Sequence, residues 1–279
     1  VMLMAMVTTA MAAKPKINVN HVEPLSWWTE MEMPLQLMIN GEAISECDVE
    51  ILPADSGVEV TAIHKADSPN YIFVDVAISK EAKAGDYTLR FTNGKRKLDY
   101  KYTIAERREG SRERESFTTA DFVYLIMPDR FANGNSDNDI VPGMLDNKVD
   151  RNAQYGRHGG DLKGIENHLD YLDELGVTAI WLNPTQENDM PESSYHGYAI
   201  TDYFQVDRRY GSNEDFRQLV DKAHDKGMKV VMDMIFNHCG SKNFIFSDKP
   251  SKDWFNFKSN FVPTSYKTAS VQDVHASEY

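Results

Sequence analysis

Lys229-Val-Val-Met-Asp-Met-Ile-Phe-Asn-His238 decides how this chain is read. Gly227 precedes it, and Val230, Val231 and Met232 make a short apolar run. Such a run, bounded by a turn residue and following a helical pattern, predicts a buried parallel strand. The strand then ends on polar groups, with Asp233, Asn237 and His238 set down in one short span. Ligands meet a parallel sheet or barrel at the carboxyl ends of its strands. A carboxylate, an amide and an imidazole there suit a polar substrate or a metal. Taken alone, the same residues also fit a turn cap at Asp233 and local backbone bonds at Asn237 and His238.

The preceding chain repeats this grammar. Residues 122–127 predict a strand, and so do residues 177–182. Between them Leu162, Ile165, Leu169, Leu172 and Leu175 recur at helical spacing and stop at Gly176, which predicts one helix. Residues 213–226 predict another, capped by Ser212 or Asn213 and closed by Gly227, with Phe216, Leu219, Val220 and Ala223 on one face. Strand, helix, strand, helix, strand in sequence predicts a parallel sheet with right-handed crossovers.

Residues 14–105 follow a different pattern. Leu35, Leu37 and Ile39 alternate with polar or smaller neighbours, as do Val58 and Val60, and Tyr87, Leu89 and Phe91. In residues 71–78 the set Ile72, Val74, Val76 and Ile78 is expected to be the buried one. Asn93-Gly94 predicts a tight hairpin into Leu98, Tyr100, Tyr102 and Ile104. About seven strands with turns between them fit an immunoglobulin-like β-sandwich. Trp27-Trp28, placed just before the second strand, puts one ring on each face; both pack, or one stacks on a sugar. The mixed-charge run of residues 106–117 reads as a solvated linker.

The chain of 279 residues is long enough for two domains with sizeable cores. Its net charge of −13 argues against a nucleic-acid partner, which needs a basic face. Residues 1–13, apolar and small with Ala10-Met11-Ala12, look like the tail of a secretory signal and are too short to span a membrane. They imply export, to the periplasm rather than the medium. Cys47 and Cys239 fall in different predicted domains, so neither a disulfide nor a structural zinc site is expected. Cys239 beside His238 invites a nucleophile reading, but a small residue filling space explains it as well.

Each of the three strands in the second half is followed by a polar loop. The first supplies Asn133, Asn135, Asp137, Asn138 and Asp139 around Gly134, with Gly159-Gly160-Asp161 further on. Closely spaced oxygen donors around a glycine suit calcium, and an ordinary Asn/Asp/Gly turn has the same composition. The second, Ser194-Tyr-His-Gly-Tyr-Ala-Ile-Thr-Asp-Tyr203, brings aromatic rings and an imidazole that suit carbohydrate. The third runs from Asp233 to His238.

Together these segments resemble the alpha-amylase family of glycoside hydrolases, of the cyclomaltodextrinase or neopullulanase kind, and among those the starch-utilisation type of Bacteroidetes. Asp233-Met-Ile-Phe-Asn-His238, Tyr195–Tyr203 and residues 129–139 with Gly159-Gly-Asp161 match three of its motifs in order over most of residues 117–240. The resemblance implies a multidomain fold: an N-terminal immunoglobulin-like β-sandwich, then the first part of a (β/α)8 TIM barrel over residues 118–239. Residues 240–279, with Trp254, Phe255, Phe257 and Phe261, would begin the insertion after the third barrel strand. It further implies that Tyr198 stacks on the sugar, with His196 at its border. His238 would hydrogen-bond the sugar, and Asp233 would support the site electrostatically. Calcium would be held by Asn133, Asn135, Asn138, Asp139, Gly159 and Asp161, and Asn237 would help a second ion.

The activity implied is retaining hydrolysis of α-1,4 and also α-1,6 glucosidic bonds in starch, maltodextrin, cyclodextrin or pullulan. A homodimer through the N-terminal domain occurs in the same subgroup. The family nucleophile is an Asp two residues after an Arg, and no Arg-x-Asp occurs in this sequence. No catalytic carboxylate is therefore expected in this chain; nucleophile and general acid would lie past Tyr279. A non-catalytic α-glucan-binding protein and a transglycosylase on the same scaffold are the alternatives.

Overall fold

The computed structural model describes residues 16–255. The signal-like residues 1–13 lie outside them, as do Phe257 and Phe261. The chain divides into two compact units between Ser111 and Arg112.

The first unit is a sandwich of eight strands among the described residues, one more than the sequence predicts. They are β1 (His21–Glu23), β2 (Ser26–Trp28), β3 (Leu35–Asn40), β4 (Asp48–Leu52), β5 (Val58–Lys65), β6 (Tyr71–Ile78), β7 (Gly85–Asn93) and β8 (Arg96–Ala105). One sheet has the order β1-β3-β6-β5 and the other β2-β8-β7-β4. The alternation read in the sequence sets the core: Leu37, Ile39, Ile72, Val74, Leu89 and Phe91 are all fully buried. Tyr71 is buried as well, which alternation in β6 does not predict. The hairpin stands as expected. Asn93 pairs with Arg96, and Gly94 turns the chain at φ 61°, a value open to glycine without strain. The tryptophans sit within β2 rather than before a strand, where Ser26, Trp27 and Trp28 pair in parallel with Thr103, Ile104 and Ala105. Trp28 is the more exposed of the two.

The second unit holds the three predicted parallel strands, β9 (Val123–Ile126), β10 (Ala179–Leu182) and β13 (Lys229–Met232), in the order β13-β10-β9. The strand β13 is not buried as predicted: it stands at the edge of the three, half-buried, with Met232 exposed. Their register is continuous: Ile126, Leu182 and Met232 stand side by side at the carboxyl edge. Between β10 and β13 lies an antiparallel pair that periodicity does not reveal, β11 (Gln186–Glu187) with β12 (Asp202–Val206).

Helix α4 (Asn213–Asp225) forms as read. Ser212 Oγ accepts from Asp215 N–H at 3.1 Å, and the Asp215 carboxylate accepts from Ser212 N–H at 2.8 Å. This reciprocal box satisfies donors that the first turn leaves orphaned. Leu219 and Ala223 are buried with Ile180, Leu182 and Leu162, and truncating a buried leucine such as Leu219 costs about 2–5 kcal/mol. Gly227 ends the helix at φ 73°. The segment 162–175 is not one helix. It is α2 (Leu162–Glu166) followed by α3 (Leu169–Glu174), after the single turn α1 (Pro128–Phe131). His168 leaves helical geometry (φ −113°, ψ 13°), and its Nδ1 lies 2.7 Å from the Gly164 carbonyl oxygen. The side chain thus replaces the backbone partner that a continuous helix would supply. Leu162, Ile165, Leu169 and Leu172 stay buried across the break, but Leu175 is exposed. A last single turn, α5 (Phe244–Ser247), follows the third loop.

Candidate functional site

The polar groups gather where β10 and β13 end. Asp233 follows β13 directly, and its Oδ2 accepts from Tyr198 O–H at 3.0 Å and from Trp181 Nε1–H at 3.3 Å. Tyr198 comes from the loop after β10. Its backbone N–H donates to His196 Nδ1 at 2.9 Å, and the two rings lie 5.9 Å apart, tilted by 30°. His238 closes the group, with Nε2 3.0 Å from the Tyr198 carbonyl oxygen. Its own carbonyl accepts from Tyr203 O–H at 2.7 Å, and Asn237 Nδ2 sits 3.4 Å from its Nδ1. The four residues singled out in the sequence therefore form one cluster, and the loops of two strands build it. Tyr198 is 37% exposed, so part of the residue is open to a ligand.

The electrostatics favour neutral donors and acceptors around one carboxylate. Burial holds His196 below its ordinary 6.5. Its imidazole stays neutral with Nδ1 free to accept. Burial raises the Tyr198 phenol, and Asp233 raises it further, so it donates rather than ionises. Burial also pushes the Cys239 thiol up, against the thiolate that a nucleophile needs. Cys47 and Cys239 are both free.

The turn Ser194–His196 is carried by a left-handed residue at each end, Ser193 at φ 59° and Gly197 at φ 82°. A Cβ at Gly197 would lie 2.3 Å from the Pro184 carbonyl oxygen, so only glycine lets the loop approach this closely. Arg130 lies over the Tyr195 ring at 4.2 Å, a cation–π contact behind the platform.

The residues that the resemblance implies for calcium also converge. Asp161 is fully buried and caps α2. Its carboxylate accepts from the backbone N–H groups of Gly134 at 3.0 Å, Asn135 at 2.8 Å and Gly164 at 2.6 Å. Asn133 Nδ2 donates to Asp139 Oδ1 at 2.7 Å. Gly159, at φ 83°, lies so near that a Cβ would meet Asp139 Oδ1 at 2.7 Å and Asn133 Nδ2 at 3.1 Å. Asn135 Oδ1 accepts from Asp137 N–H. Asn138 Oδ1 is buried with no hydrogen-bond partner among the described residues. An unpaired buried oxygen beside oxygen-bearing side chains is the one feature here that suits a hard cation. No group of three His, Cys, Asp or Glu able to hold a metal stands among the described residues.

Several groups that hold this site in place are not apparent from sequence patterning. Trp181 reads as a core strand residue yet is 42% exposed and bonded to Asp233. Asp207 and Arg209 sit in a charged stretch that reads as solvated, yet both are buried. Besides each other, their partners Asp146, Asn188 and Ser194 lie far along the chain, which no local pattern signals.

The family described as the alpha amylase catalytic domain matches residues 125–274, more than half of the chain, and the cyclomaltodextrinase N-terminal family matches residues 21–108. Neopullulanase 2 of Thermoactinomyces vulgaris is 38% identical over 175 residues, covering 57% of this chain and 29% of the relative. A cyclomaltodextrinase of Thermoanaerobacter pseudethanolicus is 41% identical over 147 residues, covering 50% of this chain and 25% of the relative. The periplasmic alpha-amylase of Escherichia coli is 39% identical over 130 residues, covering 42% and 19%. The chain spans less than a third of each of these relatives. Its three parallel strands with the cluster at their carboxyl ends, together with the match over residues 125–274, place it in the alpha-amylase family.

Proposed function

We propose that this chain carries the sugar-binding part of a retaining α-glucan hydrolase acting on α-1,4, and also α-1,6, glucosidic bonds. The observation that carries the reading is the cluster of Tyr198, His196, His238 and Asp233 at the ends of β10 and β13. In it the Tyr198 ring offers an apolar face to a glucose ring, while the imidazoles of His196 and His238 reach its hydroxyls. Asp233 orients the Tyr198 and Trp181 donors and places negative charge beside the sugar, where a transition state of oxocarbenium character gains positive charge. The nucleophile and general acid of the reaction are not assigned to residues of this chain, which has no Arg-x-Asp.

Calcium at Asn133, Asn135, Asn138, Asp139, Gly159 and Asp161 would supply fixed positive charge that orders the loop after β9. Those residues keep the loop folded around their own hydrogen bonds, with Asp161 tying it to α2. Export to the periplasm rests on residues 1–13 and on the periplasmic relative. No helix among the described residues is long and apolar enough to cross a membrane. Pairing of two copies through the sandwich rests on the cyclomaltodextrinase N-terminal match.

Calorimetric titration with maltohexaose tests the reading. Binding is expected for the wild type and is expected to be lost in Tyr198→Ala. An affinity unchanged by that substitution would remove the platform role. The chain by itself is expected not to cleave maltodextrin, and measured turnover would show that it holds a carboxylate pair after all. Non-cleaving binding in every form of the protein that contains this chain would favour a glucan-binding role, and sugar-transfer products a transglycosylase.

A further inference from the structure

Behind the sugar-facing side of the Ser194–His196 turn lies an ion pair that the reaction itself does not need. Asp207 and Arg209 are 2% and 1% exposed in their side chains, with Arg209 Nη2 2.7 Å from Asp207 Oδ2 and Nε 2.8 Å from Oδ1. A buried pair of this kind is often no better for stability than apolar residues of the same volume. What it offers is direction, because the guanidinium holds five donors in a fixed fork.

Here the remaining donors all aim at one place. Arg209 Nη1 donates to Ser194 Oγ at 3.1 Å and to the Asp146 carbonyl at 2.9 Å, and Nη2 donates to the Asn188 carbonyl at 2.8 Å. Ser194 Oγ in turn donates to Asp146 Oδ2 at 2.6 Å. On the other side of the pair, Asp207 Oδ2 accepts from Asn188 N–H at 3.0 Å, and Asn188 Nδ2 donates to the Ser194 carbonyl at 3.2 Å. The next residue in sequence, Tyr210, donates its O–H to the Tyr195 carbonyl at 3.0 Å. The turn needs such support. Ser193 is a non-glycine residue in left-handed geometry, which persists only when its surroundings over-determine it.

We propose that the Asp207–Arg209 pair is a positioning device for the sugar-facing aromatics, fixing the Ser194–His196 turn from behind so that His196 and Tyr198 present their rings to the glucan. This rests on the sugar-binding reading above. The pair touches no substrate and acts through Ser194, Asn188 and Asp146. Lysine at position 209 would keep the charge but lose the fork, so the turn would loosen without loss of the buried cation.

Hydrogen–deuterium exchange on the intact chain, with and without maltohexaose, tests this. Arg209→Lys is expected to speed exchange of the His196, Gly197 and Tyr198 amides about tenfold and to weaken maltohexaose binding about tenfold, with the β10 amides of Ile180 and Leu182 unchanged. Ser194→Ala removes only the bridging hydroxyl. It should move both readouts in the same direction by about threefold, and it decides the question if Arg209→Lys does not fold. Leu219→Ala, which destabilises the unit through α4, should change neither the local rates nor the affinity. A loss of affinity equal to that of Arg209→Lys in this control would show that the pair is merely structural. Wild-type protein that gains no protection at Tyr198 from maltohexaose defeats the sugar reading itself. Wild-type protection, with variant rates at 196–198 identical to wild type, defeats the positioning alone.

Discussion

Replacing Asp161 by alanine removes one carboxylate and orphans three backbone N–H groups at once, those of Gly134, Asn135 and Gly164. The bond to Gly164 is the N-cap of α2, and loss of such a cap costs about 0.5–2 kcal/mol. The other two donors belong to the loop after β9, on residues that are exposed, so water takes over part of each bond and each loss costs about 0.5–1.5 kcal/mol. With the cap the sum expected is about 2–4 kcal/mol. Asp161→Asn keeps one acceptor oxygen but turns an amide NH2 toward a backbone N–H, and should lose about half as much. The assay is urea unfolding followed by fluorescence, with Trp27 and Trp28 changed to Phe so that the signal comes from Trp181 and Trp254. A loss below about 1 kcal/mol in Asp161→Ala would refute the capping argument. Repeating the titration with calcium separates the two roles of the residue. If Asp161 also serves as a ligand, calcium stabilises the wild type and leaves Asp161→Ala unchanged, whereas a pure cap leaves the same calcium increment in both.

Other perturbations read the platform directly. Tyr198→Phe keeps the ring and loses the hydrogen bond to Asp233, so maltohexaose affinity should fall less than tenfold and less than in Tyr198→Ala; equal losses would show that the ring face is not what binds. The folded-state value of His196 lies below 6.5, so the unfolded chain takes up its proton first. This residue therefore contributes no penalty above that pH, and destabilisation grows as pH falls below it. An NMR titration midpoint at or above 6.5 would contradict this. Gly197→Ala meets the Pro184 carbonyl in a left-handed position, and is expected to abolish sugar binding by displacing Tyr198 while β10 and β13 remain folded by exchange protection. Asp121 is held at about 2, chiefly by the Lys229 ammonium. The stability it contributes is complete above the ordinary 3.8 and disappears as pH falls from there to about 2. Lys229→Met should flatten acid unfolding curves in that window, and an unchanged curve would count against the pairing.

How much of this was legible in the sequence depends on how far apart the partners lie. The three parallel strands were readable because each is a short apolar run bounded by turn residues and followed by a polar loop. The break between α2 and α3 was not, because Leu162, Ile165, Leu169 and Leu172 keep helical spacing across it and all remain buried. The break depends on one side chain, His168, taking over a backbone role. The β11–β12 pair was missed because β11 is two residues long, too short for any period to show.

Asp207 and Arg209 are the sharpest case. Arg208, between them, is 41% exposed in its side chain and pairs with Glu187, as a charged stretch should. Nothing in the composition of this stretch separates it from its two buried neighbours. The difference arises from Asp146, Asn188 and Ser194, which lie 15 to 63 positions away from Arg209 and close around it only after the chain has folded. Residues that touch a ligand cluster at strand ends, where topology puts them, and so leave a local signature. Residues that hold those in place answer to the shape of the loop behind, and their chemistry becomes visible only when that loop is seen folded. The Arg209→Lys exchange measurement is therefore also a measure of how much of the site's geometry is stored in residues that no motif contains.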